Sequence, residues 1–157
     1  MRLEYFQLID RVVALDLESK TILVEAEVPT ESTIFEGHFP GYPLMPGVLL
    51  LEAMAQTSGW LIIGLTNFTR MPFLAAFKTA KLRTFVKPGT KLALSAALEH
   101  EGSGYTVTTA EIRVDGKLVS NAEITFRLTE FPSPEFRTSM EKVAAAIAFP
   151  MQAHANG

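Results

Sequence analysis

The sequence predicts an α+β fold in which a curved antiparallel β-sheet wraps one long apolar helix. Three observations lead to this prediction. Residues 47–65 are apolar almost all round, which is typical of a helix that lies inside a protein. Two strand-like segments precede this helix and four follow it. A single helix of this kind needs a sheet around it to cover its sides.

The first half of the chain contains two predicted strands, a loop and the helix. Residues 6–17 and 21–29 have strand composition and are joined by a short polar turn. Residues 35–46 are too dense in glycine and proline for a regular element, so we expect a loop there. Pro46 suits the first turn of the helix that follows, because its missing N–H would have no partner at that position.

Four further strands are predicted after the helix, and their order suggests a meander. Their bounds are 73–86, 91–100, 105–114 and 118–128. Alternating hydrophobicity assigns one core face to the last strand. That predicted face comprises Leu118, Ala122, Ile124, Phe126 and Leu128, opposite Val119, Asn121, Glu123, Thr125 and Arg127.

The C-terminal part is predicted to be a separate addition to the domain. Two prolines near residue 132 divide the chain into a domain over residues 1–131 and a C-terminal segment over residues 132–157. Apolar residues recur there at helical spacing, which predicts an amphipathic helix over 135–148 that packs on the domain's own surface. A partner or membrane surface is the alternative for this helix. Residues 151–157 are expected to form a frayed tail.

Length, composition and charge exclude several classes of protein. A chain of 157 residues with 48% hydrophobic residues is long and apolar enough to bury one core. The net charge of −3 and the pI near 5.6 argue against nucleic acid as the partner. The absence of cysteine fits a reducing cytoplasm, and the N-terminus lacks the apolar core of a signal peptide. We therefore expect a cytoplasmic protein.

The predicted central helix is nearly long enough to span a membrane. Two polar residues, Glu52 and Gln56, lie within it, and a carboxylate at the middle of a bilayer is costly. We interpret the segment as a core helix and expect no membrane span.

The same two polar residues and one histidine outline an acid–base site. Glu52 and Gln56 are four residues apart, so they lie on one face of the helix within hydrogen-bonding reach. Burial should keep the carboxyl of Glu52 protonated and ready to act as an acid. His38 lies in the preceding loop, and a neutral imidazole can accept a proton near physiological pH. The amides of Gly47 and Val48, at the helix start, are candidate donors to a developing negative charge.

The segment from Gly37 to Gln56 also resembles a known family signature. It reads G-H-F-P-G-x-P-x-M-P-G-V-L-x-x-E-A-x-A-Q and is similar to that of 3-hydroxyacyl-[acyl carrier protein] dehydratases of the FabZ type. The resemblance extends, more weakly, over residues 4–130. It implies a hot-dog fold, as the order of elements also does, and the removal of water from a (3R)-3-hydroxyacyl chain to give the trans-2-enoyl product in fatty acid biosynthesis.

The resemblance also implies roles for individual residues. It places the catalytic pair on His38 and Glu52, the supporting glutamine on Gln56, and an amide contacting the thioester carbonyl on Gly47. The related dehydratase-isomerase branch has aspartate at the glutamate position, so Glu52 resembles the dehydratase-only branch. In such enzymes the histidine of one subunit and the glutamate of its neighbour share a site. We expect a homodimer, with a trimer of dimers as a larger assembly to be considered.

Further candidates concern the substrate and its carrier. No cofactor is signalled, and one His with one Glu falls short of the ligands that a catalytic zinc needs, so no metal is predicted. His100 and His154 are interpreted as ordinary surface residues. The basic run is a candidate docking patch for an acidic acyl carrier protein, or alternatively a solvated strand face. The candidate acyl contacts, which core packing explains equally well, are Phe39, Met54, Trp60 and Phe77, and the basic run comprises Lys78, Lys81, Arg83 and Lys87.

Two other functions remain open at this point. Other hot-dog enzymes use a helix carboxylate to activate water, so Glu52 could serve a thioesterase. A non-catalytic acyl-binding subunit is the second alternative, although both members of the acid–base pair are present.

Overall fold

The computed structural model describes residues 1–151, so His154 and most of the predicted tail lie outside the described residues. A 3₁₀ helix, Leu3–Tyr5, precedes the first strand. The strands are β1 Arg11–Asp16, β2 Thr21–Glu27, β3 Met71–Leu82, β4 Lys91–Gly102, β5 Tyr105–Val114 and β6 Lys117–Thr129. The α-helices are α1 Thr33–Gly37, α2 Gly47–Leu65 and α3 Pro134–Ala146.

Helix α2 is the core of the molecule, as the sequence predicts. It packs against β2, β3, β4, β5 and β6 of a six-stranded antiparallel sheet. Ala53, Met54 and Leu61 on this helix are fully buried. By length and composition alone α2 could cross a membrane, but it is enclosed by the sheet. This arrangement confirms the α+β hot-dog architecture.

The order of the strands differs from the predicted meander of four. The spatial order is β1-β2-β4-β5-β6-β3, so only β4, β5 and β6 follow one another as a meander. Strand β3 pairs with β6, with Phe73 opposite Arg127 and Lys78 opposite Glu123. Strand β4 pairs instead with β2, because the loop after β3 carries the chain across to the other half of the sheet. Strand β3 is consequently an outer strand, with one edge unpaired within residues 1–151.

Two strand boundaries and one face assignment differ most from the prediction. The first strand begins at Arg11 rather than residue 6, because the segment before it forms the 3₁₀ helix and binds α2. The third strand ends at Leu82 rather than residue 86. In β6 the register shifts between Ile112 and Arg113 of its partner, and this irregularity places Val119 among the buried residues instead of on the outer face.

The predicted loop over residues 35–46 begins with helical structure. Ser32 caps α1, because its Oγ accepts a hydrogen bond from the amide of Ile34 over 3.1 Å. Such a cap satisfies one of the free N–H groups of a helix start. The irregular loop therefore begins only after Gly37.

Helix α3 confirms the predicted C-terminal helix and packs on the same domain. Ser133 caps it through a hydrogen bond from the amide of Phe136. Ala144, Ile147 and Phe149 are buried in the same hydrophobic cluster as α2. The ring centroid of Phe149 lies 5.3 Å from that of Trp60. The division of the chain at residues 131 and 132 stays a prediction.

Candidate active site

His38 follows α1 directly and is held at the backbone and at the ring. Its amide donates to the carbonyl of Ile34, and its carbonyl accepts from the amide of Leu44 over 2.9 Å. Its ring Nδ1 lies 3.0 Å from the carbonyl oxygen of Leu44. A carbonyl oxygen can only accept, so Nδ1 carries the hydrogen of the neutral ring. Nε2 is then the nitrogen with a free lone pair, which is the form that a general base requires.

Hydrogen bonds between the N-terminal segment and α1 support the loop that carries His38. The carboxylate of Glu4 accepts hydrogen bonds from the Ser32 hydroxyl and from the amide and hydroxyl of Thr33. The bond from Ser32, followed by contacts of backbone amides, lowers the pKa of Glu4 from its ordinary value of 4.5. A carboxylate at a helix start also interacts favourably with the helix dipole.

The start of α2 presents two amides without acceptors. The chain enters the helix through a hydrogen bond from the Met45 amide to the carbonyl of Val86 over 2.8 Å. The first amides of any helix lack intrahelical partners. Those of Gly47 and Val48 have no hydrogen-bond acceptor among residues 1–151. The side chain of Leu82 packs so closely on Gly47 that a Cβ there would overlap with it.

Glu52 and Gln56 make the contact that their spacing predicts. Nε2 of Gln56 donates to Oε1 of Glu52 over 3.1 Å. The same amide group donates to the carbonyl of Phe6 over 2.8 Å, and its oxygen accepts from the amide of Leu8 over 3.2 Å. Gln56 thus joins the carboxyl to the N-terminal segment, a link that the sequence did not indicate. Glu52 is only partly buried, unlike the prediction, because it lines a cavity instead of packing in the core.

A cavity of about 180 Å³ adjoins Glu52 and Gln56. Its remaining walls are apolar and come from α2, from α3 and from two strands of the sheet. Helix α3 contributes Met140, and β6 contributes Phe126. The other lining residues are Ala55, Gly59, Trp60 and Ile63 of α2 and Met71, Pro72 and Leu74 of β3.

The predicted acyl contacts divide into one that lines this cavity and three that do not. Trp60 is a wall residue. Met54 is fully buried in the core, Phe77 packs against the core, and Phe39 stacks on the ring of His38 at 4.0 Å. Substrate roles for all four residues stay predictions. The sequence analysis missed Met140 because nothing local links α3 to the carboxyl on α2.

The predicted basic run is exposed along β3 and the loop after it. Lys78, Lys81, Arg83 and Lys87 are all solvent-exposed. Nε of Arg83 donates to Oδ1 of Asn121 over 3.0 Å. No ion pair involves these four side chains within the described part of the chain. The positive charges are therefore available to an acidic surface.

Two hydroxyls on α2 and the ring of His100 have ordinary structural contacts. The hydroxyl of Thr57 donates to the carbonyl of Ala53, and Ser58 accepts from Thr108 over 2.8 Å. The ring of His100 lies within hydrogen-bonding distance of the hydroxyl of Tyr105.

Within one chain, the two halves of the predicted acid–base pair are not brought together. His38 is absent from the walls of the Glu52 cavity, and no hydrogen bond joins the two side chains among residues 1–151. The helix start at Gly47 lies between them in the sequence. No contact between these two side chains therefore exists within the described part of one chain.

Comparison with known proteins shows the domain class and the fold of this chain. The model of the FabA-like domain matches residues 2–123, which include α2 and the histidine loop. Solved structures share the fold at low identity. A conserved protein of Pseudomonas aeruginosa matches with a TM-score of 0.63 and 24% identity, over 80% of this chain and 91% of that one. A hypothetical thioesterase with coenzyme A from Streptococcus pneumoniae matches with a TM-score of 0.60 and 16% identity, over 76% and 85%.

Curated relatives then specify the family. A protein of Chlamydia pneumoniae named 3-hydroxyacyl-[acyl-carrier-protein] dehydratase FabZ is 38% identical over 129 residues, which cover 80% of this chain and 84% of that protein. The protein of the same name from Thiobacillus denitrificans is 39% identical over 131 residues, covering 81% and 90%. The chain belongs to the FabZ-type 3-hydroxyacyl-[acyl-carrier-protein] dehydratase family.

Proposed function

We propose that this protein removes water from a (3R)-3-hydroxyacyl thioester on acyl carrier protein, giving the trans-2-enoyl thioester in fatty acid biosynthesis. Membership of the dehydratase family supports the reaction. The observation that carries the assignment to this chain is the hydrogen bond from Nδ1 of His38 to the carbonyl of Leu44. It leaves Nε2 as an acceptor in the position of the family's histidine.

In this mechanism Nε2 of His38 takes a proton from the carbon next to the thioester carbonyl. Glu52 gives a proton to the departing 3-hydroxyl group, which leaves as water while the carbon–carbon double bond forms. Gln56 holds one carboxyl oxygen of Glu52 and leaves the other for the substrate. The free amides of Gly47 and Val48 stabilise the charge that develops on the thioester oxygen.

The separation of His38 from Glu52 supports a shared site in a homodimer. The unpaired edge of β3 is 12 residues long, and apolar side chains are exposed around it. Exposed apolar surface of this kind commonly marks a protein–protein interface. A symmetric dimer would use this surface on both copies and could supply His38 from one and Glu52 from the other. The exposed apolar residues are Val48, Phe73, Leu74, Leu82 and Phe85.

We also assign the exposed basic run to the carrier protein. Acyl carrier protein is acidic, and a local positive patch can steer an acidic partner even when the net charge of the whole protein is −3. The proposed activity takes place in the cytoplasm, which fits the absence of cysteine from the chain.

Thioester hydrolysis is the second candidate, because solved structures of the same fold include a hypothetical thioesterase. The two reactions differ in their products. Dehydration keeps the thioester and loses one water, whereas hydrolysis releases a free acid and a thiol.

Mass spectrometry of a 3-hydroxyacyl thioester incubated with the protein tests the proposal. We expect loss of water with the thioester intact, abolished in His38→Ala and in Glu52→Gln. The matched controls are His100→Ala and Glu130→Gln, two exposed residues away from the site. Release of free acid would indicate that the protein is a hydrolase and that Glu52 activates water. Absence of turnover at every chain length would support a non-catalytic acyl-binding subunit.

A further inference from the structure

Helix α3 contributes one wall of the cavity beside the carboxyl of Glu52. The family model ends at residue 123, so this helix lies outside the matched part of the chain. Met140 on α3 lines the cavity together with Glu52 and Gln56. Apart from these two residues of α2, every wall is apolar, so the cavity fits a saturated hydrocarbon tail that extends away from the reacting carbons.

A second and larger cavity lies on the other side of the same wall. It has a volume of about 620 Å³ and is formed between the N-terminal segment and α3. Gln56, Trp60 and Met140 line both cavities. These three side chains are therefore the partition between a small space beside Glu52 and a large space behind it.

In this partition the side chains of Gln56 and Trp60 are held by specific contacts, whereas that of Met140 is not. Gln56 makes three hydrogen bonds, and the ring of Trp60 is buried against Phe68 and Phe149. Met140 is held only by apolar packing, and its unbranched side chain adapts readily to its surroundings. The helix that carries it is well anchored, because Ala144 is fully buried. A change at residue 140 should consequently alter the partition without displacing the helix.

We propose that Met140 sets the length of acyl chain that the site accepts. The proposal rests on the proposed dehydratase function. A cavity near 150 Å³ accommodates benzene, so the 180 Å³ cavity accommodates a tail of about six carbons. Longer tails meet the thioether of Met140. Removal of that side chain joins the two cavities and admits them.

The test compares kcat/KM for pantetheine thioesters of 3-hydroxyacyl chains with four, six and ten carbons. Each methylene group in a pocket of this kind changes the rate by about ten-fold or more. We expect Met140→Ala to raise the ratio of ten-carbon to four-carbon kcat/KM by at least about ten-fold. Met140→Phe should lower the ratio of six-carbon to four-carbon substrates. Met151→Ala is the matched control, because this methionine lines neither cavity.

An unchanged length profile in both Met140 variants would overturn the inference. Calorimetric binding of the same thioesters to the Glu52→Gln protein, with and without Met140→Ala, gives a readout that needs no turnover. If the wild type dehydrates no thioester but binding still shifts to longer chains in Met140→Ala, the proposed reaction is wrong and the role of Met140 stands. If neither turnover nor the length dependence of binding changes with residue 140, the role of Met140 is wrong.

Discussion

Nδ1 of His38 lies 3.0 Å from the carbonyl oxygen of Leu44, and the amide of Leu44 donates back to the carbonyl of His38. The two residues thus close the histidine loop with one ring contact and one backbone contact. The ring contact determines that Nδ1 carries the hydrogen, and the catalytic proposal depends on the lone pair that this leaves on Nε2.

The tautomer of His38 can be measured directly. We expect ¹⁵N NMR of the labelled protein above neutral pH to show a hydrogen on Nδ1 of His38 and none on Nε2, because the Leu44 carbonyl can only accept. The His38→Ala spectrum assigns the resonances. A hydrogen on Nε2 would contradict the assignment of this nitrogen as the base.

Mixing two inactive variants tests whether the site is shared between subunits. We expect co-expressed His38→Ala and Glu52→Gln chains to recover up to about one quarter of the wild-type rate, since random pairing in a symmetric dimer leaves one intact site in each mixed dimer. Each variant alone should lose about 100- to 10,000-fold in rate. Sedimentation gives the oligomeric state. Mixed dimers without recovered activity would show that both groups come from one chain.

Gln56 should matter both for stability and for rate. Gln56→Ala removes three hydrogen bonds, of which the one to Phe6 is exposed. The amide of the fully buried Leu8 loses its partner, and an unsatisfied buried group costs about 1–3 kcal/mol. We expect a lower free energy of unfolding in urea and a lower kcat. Gln7→Ala is the matched control, because Gln7 makes only an exposed side-chain contact with Arg2. Equal effects of the two substitutions would contradict the role of Gln56.

The contacts of Glu4 predict a pH-dependent contribution to stability. Its pKa is lower in the folded protein than the ordinary 4.5, so the stabilisation is fully present above pH 4.5 and is lost as the pH falls through the folded value. We expect Glu4→Gln to lower Tm at pH 7 and to approach the wild-type Tm in acid. Glu130→Gln serves as control. A difference in Tm that stays constant down to acidic pH would argue against this linkage.

The basic run should affect only the carrier-bound substrate. We expect Lys81→Glu with Arg83→Glu to raise KM for the thioester on acyl carrier protein and to leave KM for a short soluble thioester unchanged, because only the carrier is acidic. The increase should diminish at high salt. Lys20→Glu with Arg70→Glu is the charge-matched control, because both residues are exposed and lie outside the basic run. Equal changes in KM for both substrates would exclude a docking role.

The structural features that depend on local sequence patterns were predicted correctly. The bounds of α2 agree with the prediction, because apolar composition and Pro46 determine both its burial and its start. The contact between Glu52 and Gln56 follows from helical spacing alone. The position of β3 beside β6 and the irregularity at Val119 were missed, because strand pairing depends on contacts between residues distant in the chain.

The site was predictable only in part for the same reason. His38 and Glu52 lie in one continuous motif, so their types and spacing were visible in the sequence. The wall formed by Met140 and the tether from Gln56 to Phe6 join segments about 50 or more residues apart, and no local pattern encodes such contacts. The partial exposure of Glu52 likewise depends on a cavity whose walls come from distant segments of the chain.

The placement of Met140 on α3 has an evolutionary consequence. The proposed acid–base groups lie on the motif around α2, whereas one wall of the neighbouring cavity lies on a helix that begins after the sheet is complete. Mutations in the codons for α3 can therefore change that wall without passing through sequences that disturb the chemistry. Substrate preference and catalytic competence can thus diverge independently in descendants of this chain.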